Sequence, residues 1–361
     1  MVHAQRVEIL ERLSCAFGPP GAEQEVVGHL EALLAGRYLA EPDRLGNRVF
    51  MKARARRQAS ILIVAHADEV GFMVHSVTAK GYLSFVPLGS WLPSAAYGLP
   101  VRLEGRRGSV IGVIGALPPH FQSRQQAPGH PGQEWEEMVI DIGARSPEEV
   151  RDVFGIDAGA MAVPMHLFSR SKNERVLMGK AWDDRVGCAL LAEVLLAVSE
   201  EECSETIVGA VTVQEEVGSR GARALADRLA VDAAFVLEGA PADDYPGASR
   251  WEPQGAMGKG VQIRCFDPSM IGHRGLREFL LEVARQEGIP HQVAVRRSGA
   301  TDAGVIHISG VGVPTVVVAV PVRYAHSGIG LIDLDDYEAA FRLLLCALTR
   351  MDASVLKSLV S

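Results

Sequence analysis

Four continuous apolar runs punctuate the chain, at Ser60–Ala65, Thr206–Val213, Ala233–Leu237 and Thr315–Val320. Runs of this length without polar alternation predict strands buried on both faces, as in a parallel sheet covered by helices. Each run stops on polar residues. His66-Ala67-Asp68 follows the first and Gln214-Glu215-Glu216 the second; Glu238 ends the third, and Pro321 the fourth, with His326 just beyond. In open α/β sheets, sites form outside the carboxyl ends of the strands, so these endings are expected to converge in space. Helical patterns surround the runs: Val7–Leu13, then Glu23–Leu34 after the turn signal Gly18-Pro19-Pro20-Gly21. A third covers Asp183–Ser199, with Val186, Leu190, Val194 and Val198 four residues apart.

Between these segments the texture changes to short runs separated by Gly and Pro: Phe72–Val74, Leu83–Val86, Val101–Leu103, Ser109–Ile114 and Met138–Ile142. Such spacing predicts a small all-β module. The expected organisation is an α/β domain in two parts, residues 1–70 and 166–361, with a β domain inserted at residues 71–165. Residues 122–133, rich in Pro, Gly and Gln, read as a loop. Trp91, Leu92 and Tyr97 read as exposed apolar residues of the module, suited to subunit contacts or to a pocket wall.

Composition narrows the classes. The 361 residues, 48% hydrophobic and 22% charged, suffice for two packed domains. Lys+Arg total 36 against Asp+Glu 44, a net charge of −8, which argues against a nucleic-acid partner. The opening MVHAQRVEILERL has no signal-peptide core, and the most apolar segment, Val186–Val198, is too short to span a bilayer and carries Glu193. Neither secretion nor a membrane partner is expected. Five scattered cysteines without CxxC spacing fit a reducing cytoplasm.

The strand endings carry the candidate chemistry. His66 reads as a metal ligand, with Asp68 as the carboxylate that orients it or tunes its basicity, or as an ordinary strand-end His satisfied locally. Asp183-Asp184 reads as a helix N-cap with a first-turn acid, yet the approach Gly179-Lys180-Ala181-Trp182 is tight and partly apolar, where an uncompensated carboxylate is costly and a cation relieves the cost. Glu215 and Glu216 read as a solvated acidic turn or as a divided pair, one binding a metal while its neighbour serves as a base. Taken together, His66, Asp183, Glu216, Glu238 and His326 offer two imidazoles and three carboxylates, a mix suited to two divalent ions such as zinc or cobalt.

The segments VAHADEVGFMV (64–74), GKAWDDRVG (179–187), VQEEVGSRGA (213–222), MGKG (257–260), TDAGVIHISGVGVPT (301–315) and RYAHS (323–327) resemble the M42 family of two-metal aminopeptidases, the glutamyl and tetrahedral aminopeptidase group. The resemblance runs from the Pro19–Glu23 turn to the final helix. It implies an α/β zinc-peptidase-like mixed sheet flanked by helices, with an inserted small β-barrel or PDZ-like domain. Carried over by motif, it implies that His66 and Glu238 hold one metal, Glu216 and His326 the other, and that Asp183 bridges them. Glu215 becomes the general base and Asp68 the partner of His66. The implied activity is removal of N-terminal residues from short peptides by a cytoplasmic homo-oligomer built from dimers, up to a dodecamer.

Three positions depart from the pattern: Glu238 stands where the family has Asp, Gly299-Ala300-Thr301-Asp302 where it has Gly-Gly-Thr-Asp, and Gly328 where Pro follows the His-Ser pair. The longer Glu238 is expected to be accommodated by retraction of the backbone after Leu237, with Gly239 and Ala240 supplying the freedom. A metal-dependent deacylase or carboxypeptidase on the same core is a second reading, and a non-catalytic oligomeric binding protein a third.

Overall fold

The computed structural model describes residues 3–52, 59–115, 120, 135–165, 167–199, 203–248 and 252–360. The loop expected at residues 122–133 lies outside them. Contacts divide the chain into two compact units: Met1–Asp68, Leu167–Ala325 and Ile329–Ser361 form the first, and Glu69–His166 with His326–Gly328 the second. Among the described residues no helix is long and apolar enough to cross a membrane.

The first unit is built on a nine-stranded mixed sheet. Its strands, numbered along the chain, are β1 (Leu39–Pro42), β2 (Arg48–Met51), β3 (Ser60–His66), β12 (Thr206–Thr212), β13 (Ala233–Pro241), β14 (Val261–Asp267), β15 (Met270–Ile271), β16 (His291–Val295) and β17 (Thr315–Val322). They lie in the order β1-β2-β12-β3-β13-β17-β14-β15, with β16 also paired to β14. The four continuous apolar runs form the central parallel block β12-β3-β13-β17. Alternation along β3 explains why the run must be apolar throughout. Ile61, Ile63 and Ala65 enter one core with helices α1 (His3–Cys15), α2 (Gln24–Leu34), α5 (Trp182–Ala197), α7 (Arg274–Gln286) and α9 (Leu334–Arg350), whereas Leu62 and Val64 enter the other with α6 (Arg220–Ala226) and α8 (Ala303–Ile306). A small antiparallel sheet, β10 (Ser169–Arg170), β11 (Val176–Gly179) and β18 (Gly330–Asp333), completes this unit together with α10 (Ala353–Leu359).

Helix α5 is buried nearly all round, beyond the single stripe its spacing suggests, and it takes Glu193 inside with it. Arg6 of α1 makes this tolerable, its Nε and Nη2 donating to the two carboxylate oxygens at 2.9 and 2.6 Å. A bidentate, charge-assisted pair meets the need of a buried carboxylate. Strand β13 does not stop at Glu238. It stays in register with β17 through Glu238↔Ala319, Gly239↔Val320 and Pro241↔Val322, because the parallel ladder continues for both backbones.

In the second unit the short runs close on themselves. Strands β4 (Gly71–Val77), β5 (Leu83–Leu88), β6 (Pro100–Gly105), β7 (Gly108–Ile114), β8 (Ile140–Asp141) and β9 (Met161–Pro164) form a closed barrel in the order β4-β5-β8-β7-β6-β9, with α3 (Pro93–Ala96) and α4 (Pro147–Glu149) in its connections. The run expected over Met138–Ile142 contributes only two residues of ladder. Closure removes exposed sheet edges, so a module this small needs no covering helices. Its core is aromatic: Phe72 packs against Phe85 and Trp91 with centroids 5.2 and 4.8 Å apart. Trp91 is therefore buried, contrary to the exposed role its Pro/Gly-rich surroundings suggest, while Leu92 remains 70% exposed.

Candidate metal centre

Strand register brings the first residues of the site together. Thr212 pairs with His66 and Val236 with Val64, which places Glu238, two residues further along β13, level with His66. His66 is 2% exposed. Its Nδ1 lies 3.0 Å from the backbone oxygen of Asp68 and 3.5 Å from the Asp68 carboxylate. A carbonyl oxygen can only accept, so Nδ1 carries a hydrogen and Nε2 is the nitrogen turned toward the site, where a proton bonds to Asp183 and a metal ion would take its place. That nitrogen faces carboxylates, with Asp183 Oδ1 at 3.1 Å and Glu238 Oε2 at 3.7 Å. Ligand atoms of His66, Asp183 and Glu238 all lie within 4.8 Å of one another, and so do those of Asp183 and Glu216.

The carboxylate of Asp68, 3.5 Å from the ring, makes its shorter bonds elsewhere. Its two oxygens accept the backbone N–H groups of Glu215 and Glu216, each at 2.9 Å. One residue thus orients the imidazole through its carbonyl and the Glu-Glu turn through its side chain. Burial pushes the Glu215 carboxyl well above the usual carboxylate range; the nearby His66 opposes this, and the charges of Asp302, Glu216 and Asp68 reinforce it. Burial raises Glu238 in the same way, with Asp184 and Asp183 adding to it. For His66, burial works against the charged form but is outweighed by hydrogen bonds to Asp183 and Asp68 and by the charges of Glu238 and Glu215, so its pKa lies well above the ordinary value. The shared cause is buried negative charge in excess of what one imidazole can balance. Divalent cations supply the missing charge, and carboxylate oxygens with an imidazole nitrogen are the donors that zinc and cobalt accept.

Helix α5 enters the site through an irregular first turn. Ala181 has a left-handed φ of 56°, Asp183 and Asp184 are non-helical, and the peptide between them is cis. The capping role falls to Asp184, whose Oδ1 accepts from Gly187 N at 3.0 Å while Oδ2 accepts from His66 N at 3.2 Å. This leaves Asp183 to face the imidazole. Arg185 is completely buried and donates to the carbonyls of Leu13, Ala16, Gly18 and Ala67, at 2.7 to 3.3 Å. Asp302, also buried, lies 2.5 Å from Thr212 Oγ1, and burial lifts its carboxyl to about 6. Sequence patterns assign no site role to Asp184, Arg185 or Asp302; the only signal is their presence in the motifs around Asp183 and Thr301. His326 falls in the second unit. Its φ is 56°, and its Nδ1 donates to Ser90 O at 2.9 Å, so that Nε2 is the nitrogen left with a lone pair.

Comparison with known proteins gives a consistent result. The family model of the M42 glutamyl aminopeptidases matches residues 46–343. The glutamyl aminopeptidase of Lactococcus lactis subsp. cremoris is 34% identical over 336 residues, which cover 92% of each chain. The crystal structure of a TET aminopeptidase from the marine sediment archaeon Thaumarchaeota archaeon SCGC AB-539-E09 superposes with a TM-score of 0.93 at 38% identity, over 99% of both chains. The TET1 peptidase of Pyrococcus horikoshii, described as assembling into a tetrahedron or a large octahedral shell, gives a TM-score of 0.84 at 28% identity over 96% of this chain and 100% of its own.

Proposed function

The chain belongs to the M42 glutamyl aminopeptidase family of metal-dependent aminopeptidases, and from that premise we propose that it removes N-terminal residues from short peptides with two divalent ions, zinc or cobalt, and Glu215 as general base. The observation that carries this is the convergence of the buried His66 and Glu238 with the half-buried Asp183, ligand atoms within 4.8 Å of one another and the imidazole Nε2 turned toward the carboxylates.

His66 and Glu238 would hold one ion, Glu216 and His326 the other, with Asp183 shared. Bound there, the ions supply the Lewis acidity that lowers the pKa of water and polarises a peptide carbonyl. Glu215 takes the proton of the attacking water and delivers it to the leaving nitrogen, a task suited to a carboxyl raised by burial. Asp68 keeps both partners in place, the imidazole through its carbonyl and the base through its carboxylate. Dimer-based assembly into a larger homo-oligomer is supported by the shells that the TET1 relative forms and by exposed apolar side chains of the barrel unit such as Leu92, Ile111 and Val153.

The test uses the purified chain, stripped with chelator and reloaded with zinc or cobalt, against aminoacyl chromogenic substrates and the same peptides with acetylated N-termini. Turnover is expected only in the reloaded enzyme and only with a free amine. Equal hydrolysis of the acetylated peptides would favour a deacylase or carboxypeptidase, and activity undiminished by complete metal removal would overturn the reading.

A further inference from the structure

We propose that Glu23 is a positioning residue for the general base, fixing the backbone turn from which Glu215 and Glu216 are displayed. The proposal rests on the reading of Glu215 as that base. Glu23 closes the Pro19-Pro20-Gly21-Ala22-Glu23 turn and is 3% exposed. It occupies the N-cap position of α2, where a side-chain oxygen ordinarily accepts an amide of the first helical turn, yet it makes no such bond. Its Oε1 instead accepts the N–H of Gly21 at 2.7 Å and, across the fold, the N–H of Gln214 at 3.1 Å.

Gln214 is the residue that needs such a hold. Its φ is 58°, a left-handed conformation that side-chain-bearing residues adopt only where surrounding contacts impose it. The reversal takes the chain out of β12, and the amides beyond the strand lose their ladder partners. A buried N–H must be paired somewhere. Here four consecutive amides are caught by side chains from three other segments: Val213 N by Asn47 Oδ1 at 3.0 Å, Gln214 N by Glu23, and Glu215 N and Glu216 N by the two oxygens of Asp68. Asp68 and Asn47 fix the two ends of this stretch. Glu23 takes the amide of the left-handed residue between them, whose carbonyl accepts from Arg220 N at 3.2 Å. Burial lifts the Glu23 carboxyl to about 7, so its place in this bracket comes at a cost that an exposed position would avoid. A cap without a capping bond, aimed at the one strained residue preceding the base, is what a positioning group looks like.

The experiment uses the metal-loaded full chain with Glu23→Gln, Glu23→Ala and Glu215→Gln in parallel, reading kcat, KM, metal content and melting temperature. Gln keeps an oxygen acceptor at the same reach, so Glu23→Gln should retain kcat within about threefold, whereas Glu23→Ala should lose about thirty- to a hundredfold in kcat, the scale of a misplaced catalytic group. KM should stay within about twofold and metal content should match wild type, as expected when only the reacting geometry changes. Should Glu23→Ala fail to fold, Glu23→Met, of similar length and without an oxygen, takes its place. Wild-type kcat in the Ala or Met variant, or an equal loss in Glu23→Gln, would overturn the positioning role. So would a loss of kcat that follows a loss of metal. If Glu215→Gln itself keeps wild-type kcat, the assignment of the base falls and the proposal with it; if Glu215→Gln is inactive while Glu23→Ala is not, only the role of Glu23 falls.

Discussion

Gly239 follows Glu238 on β13, and a methyl group there would lie 2.4 Å from the carbonyl oxygen of Trp182, 2.8 Å from its carbon and 2.9 Å from Asp183 N. These are backbone atoms, with no side-chain rotamer to yield. In Gly239→Ala the Trp182–Asp183 peptide must recede by about 1 Å to restore an ordinary contact of 3.4 Å or more. The displacement falls between Glu238 and Asp183, the two carboxylates proposed to share an ion with His66. Zinc–oxygen distances hold within about 0.2 Å of 2.0–2.2 Å, so a shift of that size exceeds what one ion can bridge. Zinc affinity should fall by about ten- to a hundredfold, the scale seen when support around ligands is disturbed. The apo-protein should lose about 1–3 kcal/mol through overpacking. Competition against a chromophoric chelator reads the first quantity and denaturant unfolding the second. Gly28→Ala is the control: Gly28 sits in α2 with nothing within 4 Å of an added methyl. It should gain about 0.5–1 kcal/mol from helix propensity and leave zinc affinity alone. Wild-type affinity and stability in Gly239→Ala would refute the close approach; lost stability with full affinity would show that Glu238 and Asp183 do not hold the same ion.

Glu215→Gln should lower turnover by about two to four orders of magnitude with metal retained, since it removes a proton acceptor and leaves the shape; unchanged steady-state rates would sink the mechanism. Glu238→Asp should still bind metal and stay active within about tenfold, about 1.4 kcal/mol in barrier, and a variant that bound no metal while wild type bound two ions would show the extra methylene to be required. Asp336 accepts the amides of Gly258 and Gly260, and burial lifts its carboxyl from 3.8 to about 6. The folded state thus holds the proton more tightly than the unfolded chain, so this contribution to stability is complete below 3.8 and is lost as pH rises through about 6. Relative to Asp336→Asn, wild type should lose on the order of 3 kcal/mol between about pH 4 and pH 7, and parallel stability curves for the two proteins would contradict the assignment.

What was legible in the sequence follows from what burial permits. Strands β3, β12 and β17 are covered on both faces, so their composition announces them, and a polar residue can appear only where a strand leaves its cover; His66 and Glu215 stand at such ends. Glu238 differs, lying inside β13 beside the small Ala319, and the apolar run ends there only because a polar residue interrupts the strand. Asp184 and Asp183 have the same local pattern, and the division between capping and facing the imidazole is decided by His66, distant in sequence. Glu193 stands unexplained in an otherwise apolar helix until its partner Arg6, on another helix, is placed beside it. Gly239 was expected to lend freedom and is instead a point of close approach, a distinction no single-chain pattern encodes.

The sheet order carries a consequence for how the polypeptide is made. Strand β3 is almost wholly apolar and pairs on both sides, with β12 and β13, yet neither partner is translated until the six barrel strands and α5 have been synthesised. The barrel can close on its own ladder in that interval, while Ile61 to Ala65 wait with both edges unpaired. An unpaired apolar strand is the segment of a nascent chain most prone to adhere to other chains. Synthesis of this protein should therefore depend on chaperone capacity in the window between completion of residue 66 and emergence of residue 241, and ribosome pausing in that window should raise the insoluble fraction more than pausing later in the message.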